Sequence, residues 1–141
     1  MNLIELADTL PNGFHDAEIH SFEMDYVNRI LRFRLEVWIG LMEDEARREL
    51  YRLADLTLQE VAYLAIEPPG PEAEWQEAGV VCVDVGPGQP AKSAFLVPEA
   101  PPGTIAAWFF LLDLNCFLHC AAATADLQWV GEEHVREEWA Q

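Results

Sequence analysis

A mainly antiparallel α+β domain of about seven strands, a sandwich or partly open barrel with a short N-terminal helix, is the fold this sequence predicts. Three observations carry the expectation. Apolar residues recur at clear helical spacing over residues 2–10, whereas from Phe22 onward they alternate with polar ones. Prolines and glycines divide much of the remainder into segments of strand length. At 141 residues, of which 51% are hydrophobic, the chain suits one domain spanning 1–141 with a packed core.

Leu3, Ile4, Leu6, Ala7 and Leu10 share one helical face, and Pro11-Asn12-Gly13 stops the helix. The period then changes to two. Phe22, Met24 and Tyr26 alternate with Glu23 and Asp25; beyond Asn28-Arg29, Leu31, Phe33, Leu35, Val37 and Ile39 alternate with Arg32, Arg34 and Glu36. This is a hairpin with one buried face, and Asn28 suits a turn position of positive φ. Ile19 is out of phase with Phe22, so a β-bulge near His20-Ser21 is needed if both face the core. A second slip separates Leu56 and Leu58 from Val61 and Tyr63 across Gln59-Glu60, which predicts a strongly bent sheet.

Residues 40–50 form a charged connection, either a loop or one helical turn. Pro68, Pro69 and Pro71 cannot sit inside a sheet, because each lacks a backbone donor, and they mark a long excursion. Residues 80–85 make a strand closed by a turn at Gly86-Pro87-Gly88, residues 93–97 add a minor one, and residues 98–103 interrupt again. Strands at 104–112, 116–122 and 125–130 complete the pattern, the first two as a hairpin. Trp108 to Leu112 are apolar on both faces, which places that strand centrally under another layer, with the N-terminal helix as part of the cover. The tail, residues 132–141, reads as a helical turn or a frayed end.

Eight Lys and Arg against 25 Asp and Glu give a net charge of −17. Phosphate contacts draw their affinity from cationic side chains, so this balance argues against nucleic acid and anionic membrane as partners. A basic protein, a cation or plain solubility remains. The apolar stretch at residues 105–112 falls far short of the roughly 20 residues that a helical membrane span needs. Three cysteines, an odd number, and an opening without signal-peptide character lead to the expectation of a cytoplasmic protein. Cys116 and Cys120 lack the second pair of a zinc site and read as small core residues. No cofactor motif is present.

The densest chemistry lies in His15, Asp16, Glu18 and His20. On an extended strand Asp16, Glu18 and His20 project from one side at intervals of about 6 to 7 Å, a set able to hold a divalent cation or to do acid–base work. A structural role explains the same residues: His15 or Asp16 would cap backbone donors at the bend after Gly13, Phe14 would seat the helix, and His20 would occupy the bulge. His119, between Leu118 and Cys120, is expected to be hydrogen-bonded in or beside the core. Nucleophile elbows, phosphate loops and dinucleotide fingerprints are absent, so no catalytic residue is assigned. The runs Glu43, Asp44, Glu45 and Glu72, Glu74, Glu77, flanked by Met42 and Trp75, suit capture of a basic protein, since charge steers encounter and aromatic anchors supply affinity.

The run from Leu10 through Phe14-His15-Asp16-Ala17 to Ile19, followed by alternating strands, resembles small uncharacterised bacterial proteins and, more loosely, polymorphic-toxin immunity proteins with a Phe-His-Asp-Ala-like motif before a β-hairpin. The resemblance covers roughly the first 40 residues. It implies a compact cytosolic β-rich protein that neutralises a toxin domain by direct binding, and it assigns no catalytic residues. A protein-binding domain, in concrete form an immunity-type inhibitor of a basic toxin, is therefore the expected function. The alternative is a metal-dependent or acid–base enzyme centred on His15, Asp16, Glu18 and His20.

Overall fold

The computed structural model describes residues 1–75, 79–93 and 96–136 of the chain. Helix α1 (Leu3–Asp8) opens with an Asn-x-x-Glu capping box: Asn2 Oδ1 accepts from Glu5 N at 2.9 Å, and Asn2 N donates to Glu5 Oε1 at 3.0 Å. Its buried face carries Leu3 and Leu6. Beyond the Pro11–Gly13 stop, Asn12 Nδ2 donates to Trp38 O and Gly40 O, tying the end of the helical segment to the next hairpin.

Strands β1 (Ala17–Asp25) and β2 (Ile30–Trp38) form that hairpin, with Phe22 opposite Phe33 and Met24 opposite Leu31. The register shifts between Ile19 and Ser21, so the bulge sits at His20 as the phase slip requires. The positive φ of the turn falls on Arg29, at 54°, and not on Asn28. Asn28 is engaged instead with the Asp25 carboxylate, donating from N at 3.1 Å and from Nδ2 at 2.8 Å.

Seven further strands follow: β3 (Leu50–Gln59), β4 (Tyr63–Ile66), β5 (Val80–Pro87), β6 (Ile105–Leu111), β7 (Cys116–Ala122), β8 (Thr124–Trp129) and β9 (His134–Val135). Nine strands among the described residues exceed the seven expected, for two reasons. Glu60, at φ 53°, breaks the segment into β3 and β4 where the second phase slip lies. His134 and Val135 of the tail add β9 against β3, while residues 137–141 lie outside the described residues. Gly86 and Pro87 are corrected from turn to strand: they pair with Trp108 and Ala107, Pro87 is tolerated as the last residue of β5, and the missing side chain of Gly86 leaves room for the Trp108 ring. Residues 42–43 and 45–49 are turns. Of the minor strand at 93–97, residues 94 and 95 lie outside the described residues, and Ser93, Leu96 and Val97 are not strand.

All pairings are antiparallel, in the order β4-β7-β6-β5-β1-β2-β3-β8, with β9 beside β3. This is one coiled sheet, open as a path, rather than two facing sheets. Its ends are linked by chain continuity, because β3 runs into β4 while β7 runs into β8. Ala62 N donates to Ala121 O at 2.7 Å and Ala123 N to Gln59 O at 3.1 Å, so the two bent segments stay hydrogen-bonded through their corner.

Inside the coil, Leu31, Phe33, Leu35 and Val37 of β2 meet Phe109 and Leu111 of β6 and Leu118 of β7 in one cluster joined by Leu3, Leu6 and Phe14. The Phe33 and Phe109 rings stack at 4.8 Å, although their strands stand three places apart in the sheet. Cys82, Cys116 and Cys120 are buried thiols. Burial holds the Cys82 thiol well above its ordinary pKa and pushes Cys120 up to about 12, as expected of core residues. No helix among the described residues is long and apolar enough to cross a membrane.

Candidate functional sites

The hairpin register places Glu18 directly opposite Glu36, both on the outer face of the sheet because their neighbours Ile19 and Leu35 face inward. Two carboxylates side by side repel. The repulsion is relieved from the other end of the chain. Arg136, following β9, donates from Nη2 to Glu18 Oε2 at 2.6 Å and to Glu36 Oε2 at 2.7 Å, with its guanidinium carbon 4.0 Å from the centre of the Tyr51 ring. His20 Nε2 lies 3.7 Å from Glu36 Oε1, and His134 Nε2 lies 3.4 Å from Glu36 Oε2.

Burial by itself would raise the Glu36 carboxyl, but the Arg136 hydrogen bond and charge, with His134 and His20 behind them, hold it below its ordinary value. The same burial opposes the charge on Arg136, and the two glutamates outweigh it and raise its pKa. Tyr51, buried and facing Glu18, Asp16 and Glu49, is pushed up to about 12. Glu18 is only 4% exposed, and its Oε1 has no donor among the described residues.

The candidate tetrad is thus split. Glu18 and His20 join Glu36, whereas His15 and Asp16 form a half-exposed pair of their own at 3.6 Å, the His15 ring 6.1 Å from that of Trp38. The bend after Gly13 is closed by main chain, with His15 N donating to Asn12 O and Ala17 N to Phe14 O, and Asp16 supplies its left-handed residue at φ 57°. Phe14 is buried, as expected of the residue that seats the helix. Among the described residues no group of three or more His, Cys, Asp and Glu side chains is placed to hold a metal ion.

A second polar cluster escaped the sequence reading except for His119. Glu67, which follows β4, and His119 on β7 are both almost wholly buried. Ser93 Oγ donates to Glu67 Oε2 at 2.6 Å, His119 Nε2 lies 3.0 Å from that same oxygen and 3.2 Å from Ser93 Oγ, and Phe117 N donates to Glu67 Oε1 at 3.0 Å. A nucleophilic relay needs the acid on one imidazole nitrogen and the hydroxyl on the other. Here acid and hydroxyl share Nε2, so the trio ties the β5–β6 connection and the end of β4 onto β7. His119 does not meet His20, since β6 and β5 stand between their strands.

Beside this trio, on the outer face of β5, β6 and β7, Trp108, Phe110 and Phe117 line an open hollow of about 600 Å³ together with Asp84, Lys92, Asn115 and Glu67. Phe117 makes an edge contact with Trp108 at 5.5 Å and packs on Phe110 at 4.9 Å, so the aromatic wall is continuous. A more apolar cavity of about 470 Å³ lies between β1 and the end of β4, lined by Phe22, Ile66, Leu118 and Trp75 among others.

The two acidic runs occupy different settings. Glu43, Asp44 and Glu45 lie in the β2–β3 connection among arginines, with Arg47 reaching Glu133 at 3.3 Å and Arg48 Nε donating to Met42 O. Exposed Glu72 and Glu74 flank the β6–β7 turn, where Gly70 N donates to Leu114 O and Glu74 N to Asp113 O, and Trp75 next to them is 71% exposed. Glu77 lies outside the described residues. Searches with this chain against protein-family models, curated proteins and solved structures found no match.

Proposed function

We propose that this chain is a protein-binding domain that receives a basic partner on its acidic half, with immunity-type inhibition of a basic toxin domain as the concrete form. One observation carries the reading: the aromatic hollow of Trp108, Phe110 and Phe117 belongs to the part of the chain where charge is most one-sided. Residues 53–135 hold twelve acidic residues against Lys92 alone, while six of the eight basic residues fall within 29–52. Aromatic surface supplies affinity once it is desolvated, and the surrounding negative potential speeds encounter with a cationic protein. Asp84 on the rim of the hollow and Glu72, Glu74 and Trp75 around the β6–β7 turn add charge and contact area. The resemblance at Phe14-His15-Asp16-Ala17 supports the immunity form. Arg136 already engages both Glu18 and Glu36, which favours binding over acid–base chemistry at that cluster.

The test begins with the gene beside this one. If it encodes a basic toxin domain, that domain should bind the chain, and stopped-flow association should slow by about tenfold or more between low and high salt. Trp108→Ala should weaken the complex mainly through faster dissociation. A rate indifferent to salt, or a Trp108→Ala variant that binds as tightly as the parent, would overturn the reading.

A further inference from the structure

We propose that Glu18, Glu36 and Tyr51 form an arginine-binding socket, occupied at rest by the chain's own Arg136 and open to an arginine side chain of a basic partner when β9 lifts. The socket lies on β1, β2 and β3, apart from the aromatic hollow, so the inference goes beyond the proposed function and rests on it only for the identity of the incoming side chain. The chemistry of the socket selects a guanidinium. Two carboxylates on neighbouring strands converge on one nitrogen at 2.6 and 2.7 Å, and the guanidinium carbon lies over an aromatic ring at 4.0 Å. A planar fork that stacks and donates in several directions matches this, whereas a lysine ammonium offers a point charge without a stacking face.

The resident arginine fills the socket incompletely. Its Nη2 is the nitrogen drawn to both Glu18 and Glu36, and Glu18 Oε1 stays buried without a donor among the described residues. A guanidinium approaching from outside, free of the geometry of β9, could place two nitrogens on the two Glu18 oxygens. The resident sits at the end of a very short strand. β9 is two residues long, both exposed, and the tail is held by its pairing with Leu50 and Tyr51, by Arg136 N donating to Glu49 O at 2.8 Å, by the Arg47–Glu133 and His134–Glu36 ion pairs and by the Arg136 side chain itself. A two-residue ladder is weak on its own, so displacing the Arg136 side chain loosens the tail. Around the opening, Asp16 and Glu49 bring further negative charge, and His20 and His134 flank Glu36.

The experiment uses the full chain with N-acetyl-arginine methylamide as probe and the lysine analogue as comparator, followed by NMR of Tyr51, His20 and Val135. Arg136→Ala vacates the socket and should bind the arginine probe about tenfold more tightly than the parent and than it binds the lysine probe. Adding Glu18→Gln should remove most of that gain. Equal affinity of the parent and a folded Arg136→Ala variant would overturn the proposal. If the variant does not fold, the parent decides: the arginine probe should reduce hydrogen-exchange protection of the Arg136 amide, which donates to Glu49 O, more than equal lysine probe does, and identical effects would overturn it. Failure here leaves the salt and Trp108 tests of the acidic face untouched, and failure there leaves the socket measurable.

Discussion

Glu18 and Glu36 face one another across β1 and β2 and share a single nitrogen of Arg136, so one distant cation bridges a like-charge pair in the first hairpin. Removing the cation leaves one almost buried and one partly buried carboxylate facing each other. Arg136→Ala should cost about 3 kcal/mol in urea unfolding, toward the lower end of buried-pair losses because Glu36 retains some solvent contact. Glu18→Gln in the same chain should recover part of that loss, and a double variant no more stable than the single would contradict the assignment.

Acid should loosen the tail before it unfolds the sheet. The Glu36 carboxyl titrates below its ordinary value of 4.5 in the folded state, so its contribution is complete above that pH and fades as pH falls through the lower folded value. The protection factor of the Arg136 amide, which donates to Glu49 O, should therefore fall below about pH 4.5, ahead of protection in β2. Simultaneous loss at both positions would show that the tail is not a separate unit.

Gly86→Ala tests the contact that puts glycine in mid-strand. A methyl group there would overlap the indole of Trp108, whose Nε1 donates to Pro87 O at 3.2 Å and which the overlap would push outward. The cost should be about 1 to 3 kcal/mol, accompanied by a shift in tryptophan fluorescence. A neutral variant with unchanged emission would place the ring elsewhere.

Phe109→Ala should be among the most damaging single changes, at about 3 to 5 kcal/mol, because it removes the ring that stacks on Phe33 across the interior. Phe22→Ala, at a position 42% exposed, should cost distinctly less in the same unfolding assay.

The Glu67, His119 and Ser93 trio should behave as a fastener. Glu67→Ala deprives Phe117 N and Ser93 Oγ of a carboxylate acceptor and should cost about 3 kcal/mol, whereas Ser93→Ala removes a neutral hydroxyl from Glu67 and His119 and should cost about 1 kcal/mol. Equal losses in thermal or urea unfolding would argue against Glu67 as the centre of the cluster.

Local periodicity made the hairpins legible. The bulge at His20 was readable from one out-of-phase residue, and that bulge together with the turn at Asn28 already implies Glu18 opposite Glu36. Arg136 was not readable, since nothing local marks which of the distant acids a lone arginine in a polar tail will meet. Ser93 was hidden for a similar reason, lying in a proline-rich connection without period. The strand character of Gly86 and Pro87 was missed because both residues usually break strands, and only the bulk of Trp108 on the neighbouring strand explains them. At Gln59-Glu60 the phase slip was visible, but a bulge and a full break leave the same trace in sequence.

The bent pairing of β3 and β4 with β8 and β7 joins segments some sixty residues apart. Loop closure over that distance must precede its reward, which places this chain among slow-folding topologies. During synthesis the early hairpins can form as they emerge, but β3 waits with one edge bare until β8 leaves the ribosome. The nascent protein is most exposed to mispairing in that interval, and a truncation that removes β8 would trap it there.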